Sequence, residues 1–319
     1  MRVRALLIVN PRATTTTKPI LDLIVRSVAA EADLETVETR YRGDARDIAA
    51  AAAAEGRDAL LVLSGDGTIN EVVNGLMQAA TSRAVHSPLT AAQLPAIAAI
   101  PGGNANVFTR DLGVPADPVA AIKVISARLA AGTTRTIGLG LAGDRYFTFN
   151  AGLGWDAEVV RAVEDKRAHG GRASAGLYIR MALREYYLRT DRRHPGLAME
   201  TADGAVVAPL GMALVCNTAP WSYVGRHPVS PTPHASFDTG LDVFALRRLR
   251  TFSTLNAMRQ MMRWTGRAPA GKHVVIRHDE PELTMRSERP AALQVDGEYV
   301  GEATAVTFRS VPKALRVIA

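Results

Sequence analysis

The run Asp58-Ala59-Leu60-Leu61-Val62-Leu63-Ser64-Gly65-Asp66-Gly67-Thr68-Ile69-Asn70-Glu71-Val72-Val73-Asn74-Gly75 constrains the fold more than any other stretch of the chain. Asp58 to Leu63 reads as a strand whose residues from Ala59 on are continuously apolar, the pattern of a strand buried on both faces of a parallel sheet. Ile69, Val72, Val73, Leu76 and Met77 then recur at the offsets of one helix face. Between them lies a Gly-Asp-Gly turn. Strand, glycine turn and helix together aim backbone N–H groups at an anion. Gly65 and Gly67 let backbone approach a phosphate closely, or take up a positive φ without strain. Asp66 offers a carboxylate to a metal ion or a ribose hydroxyl, and Asn70 and Glu71 add polar groups at the helix start.

The same grammar returns about forty residues later. Ala96 to Ile100 reads as a short buried strand, and Pro101-Gly102-Gly103-Asn104-Ala105-Asn106-Val107-Phe108-Thr109-Arg110 leaves it through a second glycine turn into a helix. Two phosphate-sized nests on one sheet edge are the arrangement of open α/β folds, which bind ligands at the carboxyl ends of their strands. Upstream, Ala5 to Asn10 reads as a first strand, followed by Pro11, Arg12, a threonine run and a helix with Pro19 near its start. Leu34 to Tyr41 alternates as a strand containing Thr39, and Gly43-Asp44-Ala45 opens an alanine-rich helix. His86-Ser87-Pro88 to Leu94-Pro95 reads as a loop, and Asp117 to Ala131 as a helix stopped by Gly132. Beyond it the chain breaks into short alternating runs, as antiparallel strands do. The fold expected is an α/β nucleotide-binding domain, Rossmann-like with a parallel sheet, over residues 1–138. A β-rich antiparallel sandwich domain follows over 139–305, and 306–319 returns to the first domain.

The string from Ser64 to Gly75 resembles the glycine-rich motif of the diacylglycerol kinase catalytic domain family, which belongs with the sphingosine kinases and, more distantly, the NAD kinases. That family has a glycine where Ser64 stands, and the rest of the string fits. At the second turn this chain keeps Gly103, Asn106, Phe108 and Arg110 of the family pattern. Asn104 stands at a threonine position and Val107 at an aspartate position. Asn10-Pro11, Thr39 with the following Gly-Asp-Ala, and Asn150-Ala151-Gly152-Leu153-Gly154-Trp155-Asp156 match further family segments. The resemblance covers nearly the whole chain. It implies ATP as cofactor, held by Asn10, Pro11, Arg12, Thr39, Ser64, Gly65, Asp66, Gly67, Thr68, Asn70, Glu71, Gly102, Gly103, Asn104 and Asn106. It implies Mg²⁺ at Asp66, and a structural Mg²⁺ at the turn of Asp238, where Thr239 replaces an acidic ligand. Leu293 to Val300 contains Asp296-Gly297-Glu298. By itself Asp-Gly is a hairpin turn; by resemblance Asp296 or Glu298 takes the proton of the acceptor hydroxyl, with Asp66 completing the catalytic set.

The resemblance therefore implies an ATP-dependent kinase acting on a hydroxyl of diacylglycerol or a related lipid. Two alternatives stand beside it: phosphorylation of a soluble hydroxyl in the manner of NAD kinases, and a nucleotide- or lipid-binding regulator without catalysis. Net charge is +7 and the pI is near 9.8. With 5% aromatics and no nucleic-acid motif, this charge suits an anionic membrane surface better than nucleic acid. The basic run from Arg161 to Arg193, with Arg172 among its cations, is by default a solvated face; against an anionic leaflet each cation adds about 1 kcal/mol. Leu255, Met258 and Met262 on one side, Arg259, Arg263 and Arg267 on another, and Trp264 between them suit a helix lying in a membrane interface. The partners expected are a lipid substrate in the membrane and transient contact with its anionic surface; a homodimer is compatible with the sequence.

No run approaches the roughly twenty apolar residues of a membrane span. The first apolar run ends in Asn10-Pro11 and reads as a strand, not a signal peptide. Cys216 is the single cysteine, which fits a cytoplasmic protein without internal disulfides. Two motif matches fail on context. Gly138 to Gly143 spells a dinucleotide fingerprint but precedes a strand, and Gly266 to Lys272 spells most of a P-loop with His273 at the Ser/Thr position. The histidines show no zinc spacing.

Overall fold

A computed structural model describes residues 2–14, 16–82, 89–169, 175–263 and 265–319. Thr15, the 86–88 part of the expected loop, Arg172 and Trp264 lie outside the described residues. The chain divides into two compact units, Met1–Gly138 with Lys313–Ala319, and Leu139–Pro312. The segment that returns to the first unit thus begins at Lys313, not at residue 306.

In the first unit the order is β1 (Val3–Val9), α1 (Lys18–Ala29), β2 (Ala32–Glu38), α2 (Asp44–Ala54), β3 (Ala59–Ser64), α3 (Asp66–Ser82), a 3₁₀ turn (Ala91–Gln93), β4 (Ala96–Pro101), α4 (Val107–Asp111) and α5 (Pro118–Ala130). The strands pair in parallel as β2-β1-β3-β4. Every residue of β3 and β4 is buried, which is why their sequences run apolar without alternation. Removing one Leu or Val side chain of β3 from water stabilises the unit by roughly 1.5–3 kcal/mol. α3 turns Ile69, Val72, Val73, Leu76 and Met77 inward. β2 ends at Glu38, earlier than Tyr41, so Thr39 lies just beyond its end and donates its N–H to the Val9 carbonyl at 2.9 Å. Asp117 caps α5 through Ala120 N at 2.8 Å, and Gly132 follows that helix with φ 63°.

The second unit begins within β5 (Arg135–Ala142). It continues through β6 (Arg145–Phe147), β7 (Asn150–Gly154), α6 (Trp155–Ala168), α7 (Ala175–Leu188), β8 (Leu197–Thr201), β9 (Val206–Leu210) and β10 (Met212–Cys216). Then come the β11 (Ser222–Val224) and β12 (His227–Val229) hairpin, β13 (Leu241–Leu246), α8 (Thr251–Met261), β14 (Val274–Glu280), β15 (Glu282–Val295) and β16 (Glu298–Val317). β14, β13, β10, β7 and β15 pair antiparallel in that order. The long β15 pairs with β8 through Leu283–Ser287 and with β7 through Leu293–Val295, with an irregularity between the two stretches. Strand periodicity explains the two cores. Ala213, Val215, Val243 and Ala245 face the inner cluster with Phe147, Met285 and Phe308, while Leu214, Cys216, Phe244 and Leu246 face the helical layer of α6, α7 and α8. The sequence from Gly138 to Gly143 falls in β5 and the turn to β6, and the stretch from Gly266 to Lys272 precedes β14 without a helix. Neither is a phosphate loop.

Candidate active site

The first unit locks the two glycine turns together. Gly102 N–H donates to Ser64 O at 2.8 Å, joining the ends of β3 and β4. A methyl group on Gly103 would lie 2.7 Å from Gly65 Cα, and one on Gly102 would lie 2.8 Å from Ser64 backbone atoms. Gly65 does not adopt the left-handed conformation. Close approach of backbone to backbone is what demands glycine at these turns.

Asp66, half-buried at the start of α3, accepts from Val107 N at 3.1 Å and Phe108 N at 3.2 Å. It therefore satisfies the N-terminal donors of α4, a capping role supplied from a different segment. Asn106 holds a left-handed φ of 49°; its side chain accepts from Gly103 N and donates to Gly103 O, both at 2.8 Å. Asn10 donates through Nδ2 to Thr68 Oγ1 at 3.0 Å, and its Oδ1 accepts from Arg12 N at 2.9 Å. Pro11 and Arg12 are exposed beside it. Glu71 reaches away from the turn and accepts from Gly43 N at 2.8 Å. Buried Asn70 accepts from Asn74 Nδ2 at 2.9 Å through its carbonyl. Asn104 is exposed at the tip of the second turn. Ser64 Oγ is buried and has no hydrogen-bond partner among the described residues. The first bond within α3 runs from Ile69 N to Gly65 O, so the donors of the Asp66-Gly67-Thr68 turn precede the helical ladder, where an anion is favoured.

In the second unit, Asp296 and Gly297 form the two-residue turn between β15 and β16, with φ of 48° and 76°. Such a turn takes positive φ at both positions, which Asp-Gly tolerates. Asp296 is 3% exposed, and its carboxylate accepts from Thr148 N at 2.7 Å, Thr148 Oγ1 at 2.8 Å, Phe149 N at 3.0 Å and Asn150 N at 3.2 Å. Glu298 is paired with Arg145 at 2.9 Å. Behind the turn, Gln294 accepts from Gly297 N and donates to Asn150 Oδ1 and Asp156 Oδ2, at 2.8–2.9 Å. Burial pushes the Asp156 carboxyl up to about 7, with the Gln294 hydrogen bond pulling the other way. Thr148, Gln294 and Arg145 escaped sequence reasoning; their partners lie 3 to 153 residues away, and no short motif marks them.

The residues assigned to Mg²⁺ do not build a metal site of their own. Both Asp66 oxygens face backbone N–H groups, and Asp238 is exposed on a turn held by Thr239 and Ser236. Among the described residues no three His, Cys, Asp or Glu side chains are gathered to hold a metal ion.

The profile described as "Diacylglycerol kinase catalytic domain" matches residues 4–141. The "Probable lipid kinase YegS-like" of Chromohalobacter salexigens is 28% identical over 258 residues, 80% of this chain and 74% of that protein. The diacylglycerol kinase of Bacillus subtilis is 34% identical over 167 residues, about half of either chain. Crystal structures share the fold: a diacylglycerol kinase from Bacillus anthracis superposes with a TM-score of 0.68 at 21% identity, and a second structure from that organism with 0.75 at 23%. Each superposition covers 99% of this chain and 96% of the other. Both interlocked glycine turns lie inside residues 4–141, the segment that is similar to the diacylglycerol kinase catalytic domain, and the relatives that match it are named as lipid kinases.

Proposed function

We propose that the protein transfers the γ-phosphoryl group of ATP, entering as its magnesium complex, to a hydroxyl of diacylglycerol or a related lipid at a membrane surface. The observation that carries this reading is the Asp66 clamp. One carboxylate takes up the first N–H donors of α4 and ties that helix to the start of α3, which supports two glycine turns held in fixed register before substrate arrives. In the transfer the bond from the γ-phosphorus to the β,γ-bridging oxygen breaks as a bond to the acceptor oxygen forms. The acceptor proton leaves to a carboxylate of the 296–298 turn. Such a reaction asks the protein chiefly for positioning and charge complementarity.

Roles within the turn differ by environment. Asp296 is fixed by four donors, whereas Glu298 is half-buried against Arg145. Labelled ATP with Mg²⁺, offered to diacylglycerol, sphingosine, ceramide, a native lipid extract and NAD, tests the reading. Label on a lipid, lost in Asp66→Asn, is the expected result, and Asp296→Asn against Glu298→Gln separates the two carboxylates. Label on NAD alone, or ATP binding with no product from any acceptor, would overturn it.

A further inference from the structure

The helices that cover one face of the second unit leave an apolar side unused. Val159 and Val163 of α6, Met181 and Tyr186 of α7, and Ala257 and Met261 of α8 share one core cluster with the sheet. Tyr186 Oη donates to Leu249 O at 2.7 Å, which ties α7 to the entry of α8. On α7, Ile179, Leu183 and Tyr187 recur every fourth residue and are 59%, 52% and 53% exposed. On α8, Phe252, Leu255 and Met262 at its end are 89%, 58% and 60% exposed. Single exposed apolar residues are ordinary. Six on two helices of one layer exceed that scatter, and exposed apolar area of this kind marks an interaction surface.

Arginines outnumber acids around this patch, with Asp191 the exposed acid beside Arg192. Arg180 and Arg184 run beside the α7 stripe, and the Arg192 guanidinium lies 4.6 Å and 5.2 Å from the ring centres of Tyr186 and Tyr187. Exposed Arg259 and Arg263 accompany Phe252 and Leu255. Between Asp242 and Asp279 there is no acidic residue, while eight Lys or Arg occur. Glu185, the acid of α7, is buried. Apolar side chains interleaved with arginines are the composition of helices that lie in the headgroup boundary of a bilayer. A second copy would bring arginine rows together with Asp191 as the exposed acid against them, leaving most of that charge unpaired. A nucleic acid backbone would leave Phe252 and Ile179 unused.

We infer that the outward faces of α7 and α8 dock on an anionic lipid bilayer, with Ile179, Leu183, Phe252 and Leu255 entering the interface and the arginines meeting lipid phosphates. This rests on the reading of the protein as a kinase of membrane lipids, and the test separates the two. Cosedimentation is measured with vesicles of phosphatidylcholine alone and of phosphatidylcholine mixed with phosphatidylglycerol. The wild type runs beside Ile179→Ser/Leu183→Ser, Phe252→Ser/Leu255→Ser and Arg259→Glu/Arg263→Glu. Turnover of a water-soluble short-chain diacylglycerol reports folding and activity.

The expected result is binding to anionic vesicles only, weakened about tenfold or more in every variant. Short-chain turnover should stay within about twofold of wild type, since the substituted side chains are exposed. Vesicle binding lost in the variants of a protein that phosphorylates no lipid supports the surface and sinks the kinase reading. Lipid phosphorylation with vesicle binding unchanged in all three variants overturns the surface and leaves the kinase standing. A lipid-free dimer dispersed by the serine variants would equally overturn it, assigning the patch to a second copy.

Discussion

Asp66-Gly67 and Asp296-Gly297 are the same dipeptide in two units, and the chain uses them differently. At the first, Asp66 is half-buried at a helix start, and its carboxylate reaches across to the backbone of another turn, 41 and 42 residues along the chain. At the second, both residues have positive φ in a hairpin, and the carboxylate is buried under four donors from Thr148 to Asn150. One aspartate joins two glycine turns; the other holds a strand entry in place. An acidic residue next to glycine thus takes its role from the backbone conformation around it.

The comparison breaks most readily at Asp296. Asp296→Ala strands several buried donors, each costing about 1–3 kcal/mol, so denaturant unfolding should show a loss of about 3–5 kcal/mol. Asp66→Ala, at a half-buried cap, should cost about 1–2 kcal/mol while lowering phosphotransfer about a hundredfold. Equal losses of stability at both positions would erase the distinction.

Asp156 sharpens it from behind. Its carboxyl is held up to about 7 by burial, well above the usual carboxylate range in an unfolded chain. The folded protein then binds a proton that the unfolded chain has released, so this contribution is full below about pH 4 and fades as pH rises through about 7. Asp156→Asn should remove that slope and raise stability at pH 8 by roughly 2–4 kcal/mol. Unfolding curves from pH 4 to 8 read it directly; parallel pH profiles for mutant and wild type would exclude the effect.

Smaller changes probe the first unit. Gly103→Ala forces a methyl group to 2.7 Å from Gly65 Cα, and should cost about 1–3 kcal/mol with a raised KM for ATP. Ser64→Ala deletes a buried hydroxyl that has no partner among the described residues; thermal unfolding should show a gain of up to about 1 kcal/mol. A loss there would mean that the hydroxyl has a partner in solution.

Much of the first unit was legible because its information is local. The apolar run of β3, the glycines after it and the helical offsets of Ile69 to Met77 lie within one stretch of chain. What escaped there was the meeting of the two turns, Gly65 against Gly103 and Asp66 on α4, which no spacing announces. In the second unit, alternation gave antiparallel strands without their partners. The donors to Asp296 lie 146 to 148 residues away, and antiparallel pairing over such separations leaves no short-range mark. The helix expected around Leu255 to Arg267 ends at Met261. Met258 packs on the core while Phe252, unnoticed in the sequence, stands outside. Periodicity alone could not choose between these faces, because both carry apolar residues.

β16 has a consequence for how the protein is made. It starts after the Asp296-Gly297 turn and ends with Val317 beside Ile97, and Ile318 N–H then donates to the Ile97 carbonyl at 2.8 Å. A ribosome working from the N-terminus therefore completes β4 about 200 residues before the strand that covers it emerges. Through that interval the nascent parallel sheet presents β4 as an open edge in addition to β2, the feature that invites pairing with a stranger. The first unit is complete only when Lys313–Ala319 has been translated, after the whole of the second unit. A shortened chain ending near residue 138 would leave the β4 edge without Val317 and Ile318.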